Sequence, residues 1–226
     1  MKLNHQIDLF IQENYDLTYQ KFLKKIVSSN YPILGVRAPL LKKYAKEITR
    51  DNPKWFYEET FDTYEKIALY GYSLGYLKCN FQDLLSEIEK FFPYIDNWAI
   101  NDSTCSNLKQ FKKQQIEGFS FIRKCLKEKN PYIIRFGLVL LLNYYINDQY
   151  IDIVLKICEH DYLDHYYVSM AHSWLISMCY IKYPNKTYSF LQETNINSWV
   201  YHKAISKICD SKRISSEAKE KLRKLR

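Results

Sequence analysis

Tyr132-Ile133-Ile134-Arg135-Phe136-Gly137-Leu138-Val139-Leu140-Leu141-Leu142 is the most apolar stretch of this chain. Its apolar residues fall on nearly every side of a helical wheel, so the helix it predicts, Tyr132 to Tyr145, is surrounded by other helices. The run from Leu138 to Leu142 is too short to cross a bilayer. Working outward, helices are predicted to begin near Tyr64, Trp98, Tyr132, Tyr166 and Val200, each thirty-four residues after the last. Shorter helical runs lie between them at Phe81–Phe92, Ile116–Leu126, Ile151–Cys158 and Thr187–Gln192. A helix pair recurring at this period marks an α-solenoid, in which each pair buries its apolar face against its neighbours.

The period is that of a tetratricopeptide array, but the Trp-Leu-Gly-Tyr pattern of such arrays is missing, and short HEAT-like pairs fit better. A generic bundle with coincidental spacing is the rival reading, and five equally spaced starts count against it. The predicted fold is therefore all-α, a right-handed α-α superhelix of HEAT-like helix pairs over a single domain, residues 1–226. Toward the amino end, Ile7 to Ile11 and Tyr19 to Val27 read as amphipathic helices. Gly35 suits a turn position of positive φ, and Pro39 suits the first turn of a helix over Leu40 to Ile48. Short and long helices follow at Trp55–Glu59 and Tyr64–Leu77, and Ser215 to Arg226 reads as a basic, frayed capping helix.

Only 5 glycines and 6 prolines in 226 residues argue against an all-β chain, which would need many turns. The formal charge of +8 favours an anionic partner, nucleic acid ahead of an acidic membrane surface. Cys79, Cys105, Cys125, Cys158, Cys179 and Cys209 form no CxxC pair and read as buried thiols in a reducing compartment. The amino-terminal residues lack the apolar run of a signal peptide, so the expectation is a soluble cytoplasmic protein. His160 and His165 neighbour Asp161 and Asp164, yet no metal-ligand spacing supports a site, and a polar turn is the better reading. There is no phosphate-binding glycine loop and no nucleophile elbow, so no cofactor is implied.

The chemistry is expected at Asp96-Asn97-Trp98-Ala99-Ile100-Asn101-Asp102. Trp98 and Asp102 are four residues apart and share a helix face, where a π-face beside a carboxylate stabilises a positive centre. The competing reading makes Trp98 a core residue and Asp102 a solvated or capping carboxylate. Shifted by the repeat period, Trp98, Arg135, Asp102 and Trp174 fall on one helical stripe, with Lys203 in Arg135's register. A guanidinium in so apolar a helix needs a carboxylate, a phosphate or water. An ion pair, with Asp102 as one partner, and a phosphate contact are both open for Arg135. Basic residues gather at Lys109, Lys112, Lys113, Arg123 and Lys124, and at Lys203, Lys207, Lys212 and Arg213. Such runs are usually solvated faces. Lys203 and Lys207, nearest the stripe, are the best phosphate candidates.

From about Phe22 to Ile208 these segments resemble the DNA alkylation repair enzymes, a family of HEAT-repeat DNA glycosylases. Leu34-Gly35-Val36-Arg37-Ala38-Pro39 is similar to its amino-terminal Gly-x-x-x-Pro turn, and Trp98-x-x-x-Asp102 to its Trp-x-x-x-Asp. Arg135 stands where the family has an arginine opening an apolar helix. Tyr167-Val168-x-x-Ala171-x-x-Trp174-Leu175 resembles its tryptophan helix, and Ala204-Ile205-x-Lys207-Ile208 its closing helix. The resemblance implies excision of cationic N3- and N7-alkylpurines from double-stranded DNA, with the base left stacked. It also implies roles: Asp102 at C1′, Trp98 and Trp174 against the deoxyribose, Arg135 on a backbone phosphate. Ile26 departs from the family's pattern, which has an aromatic there, and Ala99 stands where an acidic residue is frequent. The rival functions are a non-catalytic binder of bent or branched DNA, and a protein-interaction scaffold. The chain is expected to act as a monomer with no membrane contact.

Overall fold

The computed structural model describes residues 3–225. Among them are thirteen α-helices and three short 3-10 turns, with no strand beyond an isolated Tyr15–Val36 bridge. The helices are α1 Leu3–Asn14, α2 Leu17–Ile26, α3 Ala38–Asp51, α4 Tyr64–Leu74, α5 Phe81–Phe91 and α6 Trp98–Asn107. They continue as α7 Gln115–Cys125, α8 Pro131–Tyr144, α9 Ile151–Cys158, α10 Tyr166–Lys182, α11 Pro184–Glu193, α12 Ser198–Asp210 and α13 Ser216–Arg223. The all-α expectation holds, and the five starts spaced by thirty-four are α4, α6, α8, α10 and α12, within two residues of each expected position. Packing divides the chain into two compact units, Met1–Gln110 and Phe111–Arg226. No described helix is long and apolar enough to cross a membrane.

In the first unit α3 packs on α4 and α4 on α6, the layer order of a solenoid. Every residue of α4 is buried, including Glu65 and Lys66. Each charge there has partners, as burial demands. Lys66 bonds to Asp8, Glu59 and Asp62 at 2.9 to 3.2 Å, and these three carboxylates raise its pKa against the opposing pull of burial. Glu65 accepts backbone N–H bonds from Leu34, Gly35 and Val36, the shortest 2.7 Å from Gly35. Burial nonetheless outweighs those bonds and raises its pKa. Gly35 has φ of 101°, as expected from the sequence. Helix α4 stops three residues before Leu77, because Asn107 Nδ2 donates to Tyr72 O at 2.7 Å and Gln110 Nε2 to Gly75 O at 3.1 Å. Both bonds occupy carbonyls that further turns of helix would use.

In the second unit α8 packs on α10 and α10 on α12, with α7, α9 and α11 behind them. The apolar run of α8 is buried from Ile134 to Leu142. The terminal helix α13 is seated by Leu222, which is fully buried, and by Tyr201 Oη, which bonds to Leu225 O at 3.1 Å. Arg226 lies outside the described residues. Cys105, Cys125, Cys158 and Cys179 are buried as expected, whereas Cys79 is exposed, because it lies in the loop before α5 and not inside a helix.

His172 is 2% exposed, and its Nε2 lies 3.0 Å from Cys158 O, which fits a neutral ring donating from that nitrogen. Burial drives its pKa down to about 4, against the smaller effect of that bond. An unfolded chain takes up this proton near pH 6.5, and the folded one only near pH 4. Its contribution is therefore complete above pH 6.5 and is lost as pH falls from there to about 4. At about 1.4 kcal/mol per unit, the loss is roughly 3 kcal/mol. Urea titrations across that window check it: His172→Gln flattens the acid limb of stability, and an unchanged limb would mean that other groups set it.

Candidate nucleic-acid interface and active site

In the first unit the site begins at the turn into α6. Asn97, fully buried, caps the helix by accepting from Ile100 N at 3.0 Å. Asp96 ties this turn to the loop after α2: its Oδ2 accepts from Ser29 Oγ at 2.8 Å and from Asn30 N, and its Oδ1 from Asn97 Nδ2 at 2.6 Å. Trp98 Nε1 donates to Ile26 O, the last residue of α2, at 3.0 Å. The indole edge is thus held at the end of α2 while the ring stays half-buried. Ile100, Asn101, Thr104 and Cys105 form the buried side of α6. Asp102 is half-buried one turn beyond Trp98. Neither residue belongs to the core, so the core reading of Trp98 does not describe it.

In the second unit Arg135 is 6% exposed. Its NH1 donates to Tyr167 O at 2.7 Å, and its guanidinium carbon lies 5.9 Å from the Tyr167 ring centre. A carbonyl is thus one partner of this buried charge. Tyr167 N donates to His165 Nδ1 at 3.3 Å, the N-cap bond of α10. Lys203 and Lys207 are half-buried one turn apart on α12. Burial first, then the charges of Lys203 and Arg135, lower the Lys207 pKa, with Asp210 acting the other way. The charges of Lys203 on α12 and Arg135 on α8 thus both act on Lys207. Trp174 is half-buried on α10, which Ser173 Oγ ties to α12 through Val200 O at 3.1 Å. Lys109, Lys112 and Lys113 are exposed around a 3-10 turn, Lys109–Lys112. Among the described residues no three His, Cys, Asp or Glu side chains gather as a metal site.

The description "DNA alkylation repair enzyme" belongs to a protein family whose model matches residues 9–208, which takes in Trp98, Asp102, Arg135, Trp174, Lys203 and Lys207. The chain belongs to the DNA alkylation repair enzyme family. No individual curated protein matches it. Trp98 and Asp102, half-buried on α6, and the cations of the second unit are the candidates for chemistry and phosphate contact. The sequence did not signal Tyr167 as a holder of Arg135, or Asp96 as the brace of the turn before Trp98. A carboxylate directly before the helix cap, Asp96-Asn97, is the trace that the brace left. The Tyr167 carbonyl leaves none, because any residue supplies one. Tyr166 and Trp199, 61% and 45% exposed with ring centres 6.1 Å apart, form an aromatic pair that was also not anticipated.

Proposed function

We propose that this protein is a DNA glycosylase that hydrolyses the N-glycosidic bond of cationic N3- and N7-alkylpurines in double-stranded DNA, acting as a monomer. The observation that carries the reading is the placement of Asp102, a half-buried carboxylate one helical turn from a braced indole, in a chain of this family. An N-alkylated purine already bears positive charge and leaves as a neutral base without an acid to protonate it. Positive charge then builds on the sugar at C1′. In this reading Asp102 stabilises that charge and orients the attacking water, which bonds to C1′ and releases its proton to the carboxylate or solvent. Trp98 and Trp174 present ring faces to the deoxyribose, where a π-surface favours a developing cation. Arg135 holds a backbone phosphate near the lesion, and Lys203 and Lys207 hold its neighbours. Lys109, Lys112 and Lys113 add phosphate contacts further along.

The test is incubation with duplex DNA carrying N7-methylguanine, read as free base. Release supports the glycosylase. Salt-sensitive binding without release leaves the non-catalytic DNA binder, and absence of binding at low salt leaves the protein scaffold. A companion prediction concerns the salt dependence. Lys203→Ala/Lys207→Ala removes up to two phosphate contacts, so the slope of log Kd against log salt falls by roughly 1–2. Fluorescence anisotropy at four salt concentrations measures it, and an unchanged slope would remove both lysines from the interface.

A further inference from the structure

At the far end of α6 from Trp98, the first unit has a second cationic feature. A cleft of about 630 Å³ opens between α3 and the turn after α4. That volume is within the range of small-molecule sites, roughly 300–1,000 Å³. Lys43, Lys46, Arg50 and Lys78 border it, and Tyr76 and Pro53 are in its walls. Lys43, Lys46 and Arg50 are spaced by three and four, so they lie along one stripe of α3. Arg50 is satisfied by Asp51, at 2.8 Å from Nε. Among the described residues Lys43, Lys46 and Lys78 form no ion pair, and the single carboxylate of the lining is Glu47. Like charges so placed repel one another, and an anion relieves that repulsion.

The wall is fixed before any ligand arrives. Tyr76 is half-buried, and its backbone N–H donates to Ser73 O at 2.9 Å. Asn107 holds Tyr72 O, and a Cβ at Gly75 would come within 2.4 Å of Asn107. The ring of Tyr76, Pro53 and the alkyl stems of the lysines are surfaces on which a flat ring stacks. A phosphate and a flat ring together make a nucleotide. Neither Trp98 nor Asp102 lines the cleft, and Asn107 is five residues along α6 from Asp102, about 7–8 Å of helix, so the cleft is not the site around Asp102.

We propose that this cleft binds one nucleotide unit, its phosphate on Lys43, Lys46 and Lys78 and its base against Tyr76. The unit is either a free nucleoside monophosphate or a nucleotide of bound DNA away from the glycosidic bond. Only the second source rests on the DNA reading above. The experiment titrates full-length protein with deoxyadenosine 5′-monophosphate and, separately, with undamaged duplex DNA. It compares Lys43→Glu/Lys46→Glu with Lys127→Glu/Lys129→Glu, a reversal of equal charge on the exposed loop before α8. All four lysines are accessible, and circular dichroism verifies that both variants stay helical. The expected result is at least roughly tenfold weaker binding by the α3 variant than by the control. A loss confined to the mononucleotide identifies the free ligand as the source, and a loss on the duplex identifies DNA. An α3 variant that binds both probes as well as the control does overturns the proposal. Base release is not measured, so a chain that fails as a glycosylase leaves this test intact.

Discussion

Asp102→Asn lowers single-turnover release of N7-methylguanine by roughly 10²–10³-fold while leaving DNA affinity within a few-fold of the natural chain. The side chain keeps its shape and its half-buried place on α6, so the loss isolates the charge. A neutral amide neither favours an oxocarbenium-like sugar nor accepts the proton of the attacking water. Rate and affinity separate because the stabilised charge exists only in the transition state. A fall in affinity with an unchanged rate would instead assign Asp102 to binding. An Asp102→Asn protein as fast as the natural one would move the chemistry to another residue.

Gly35→Ala destabilises the first unit by roughly 2–4 kcal/mol. Two causes act together. At φ of 101° the backbone is strained for any residue with a Cβ, and the added Cβ would lie 2.7 Å from Asp16 O and from Gln20 Cβ. Asp16 is not free to yield: it caps α2 through Tyr19 N at 2.9 Å and pairs with Arg37 at 2.7 Å. Shifting the turn also pulls the Leu34, Gly35 and Val36 amides from Glu65, leaving a buried carboxylate short of donors. Urea unfolding followed by circular dichroism gives the number. A change below about 1 kcal/mol would show that the turn relaxes without loosening Glu65.

The sequence made much of this legible, for physical reasons that differ by element. The helices from α4 to α12 were readable because apolar periodicity and the thirty-four-residue spacing leave their marks in composition. Gly35 was readable because few residues other than glycine serve a positive-φ turn just before a proline-led helix. Trp98 and Asp102 could be placed on one face because four residues make a helical turn. What could not be read were the partners that main-chain atoms supply. Ile26 was noted as a departure in side chain, but its contact to Trp98 is through its carbonyl. One partner of Arg135, Tyr167 O, has no signature in residue type. The end of α4 was misplaced for the same reason: Asn107, thirty-five residues away from Tyr72, takes up the carbonyl that would have continued it.

If Asp102 acts on a positively charged sugar, a pair of ligands isolates that interaction. One duplex carries a protonated pyrrolidine ring, nitrogen at the C1′ position, in place of a deoxyribose; the other carries the neutral tetrahydrofuran. The natural chain is expected to bind the cationic duplex at least roughly tenfold more tightly than the neutral one, and Asp102→Asn to bring the two affinities together. Equal affinity of the natural chain for both duplexes would contradict it.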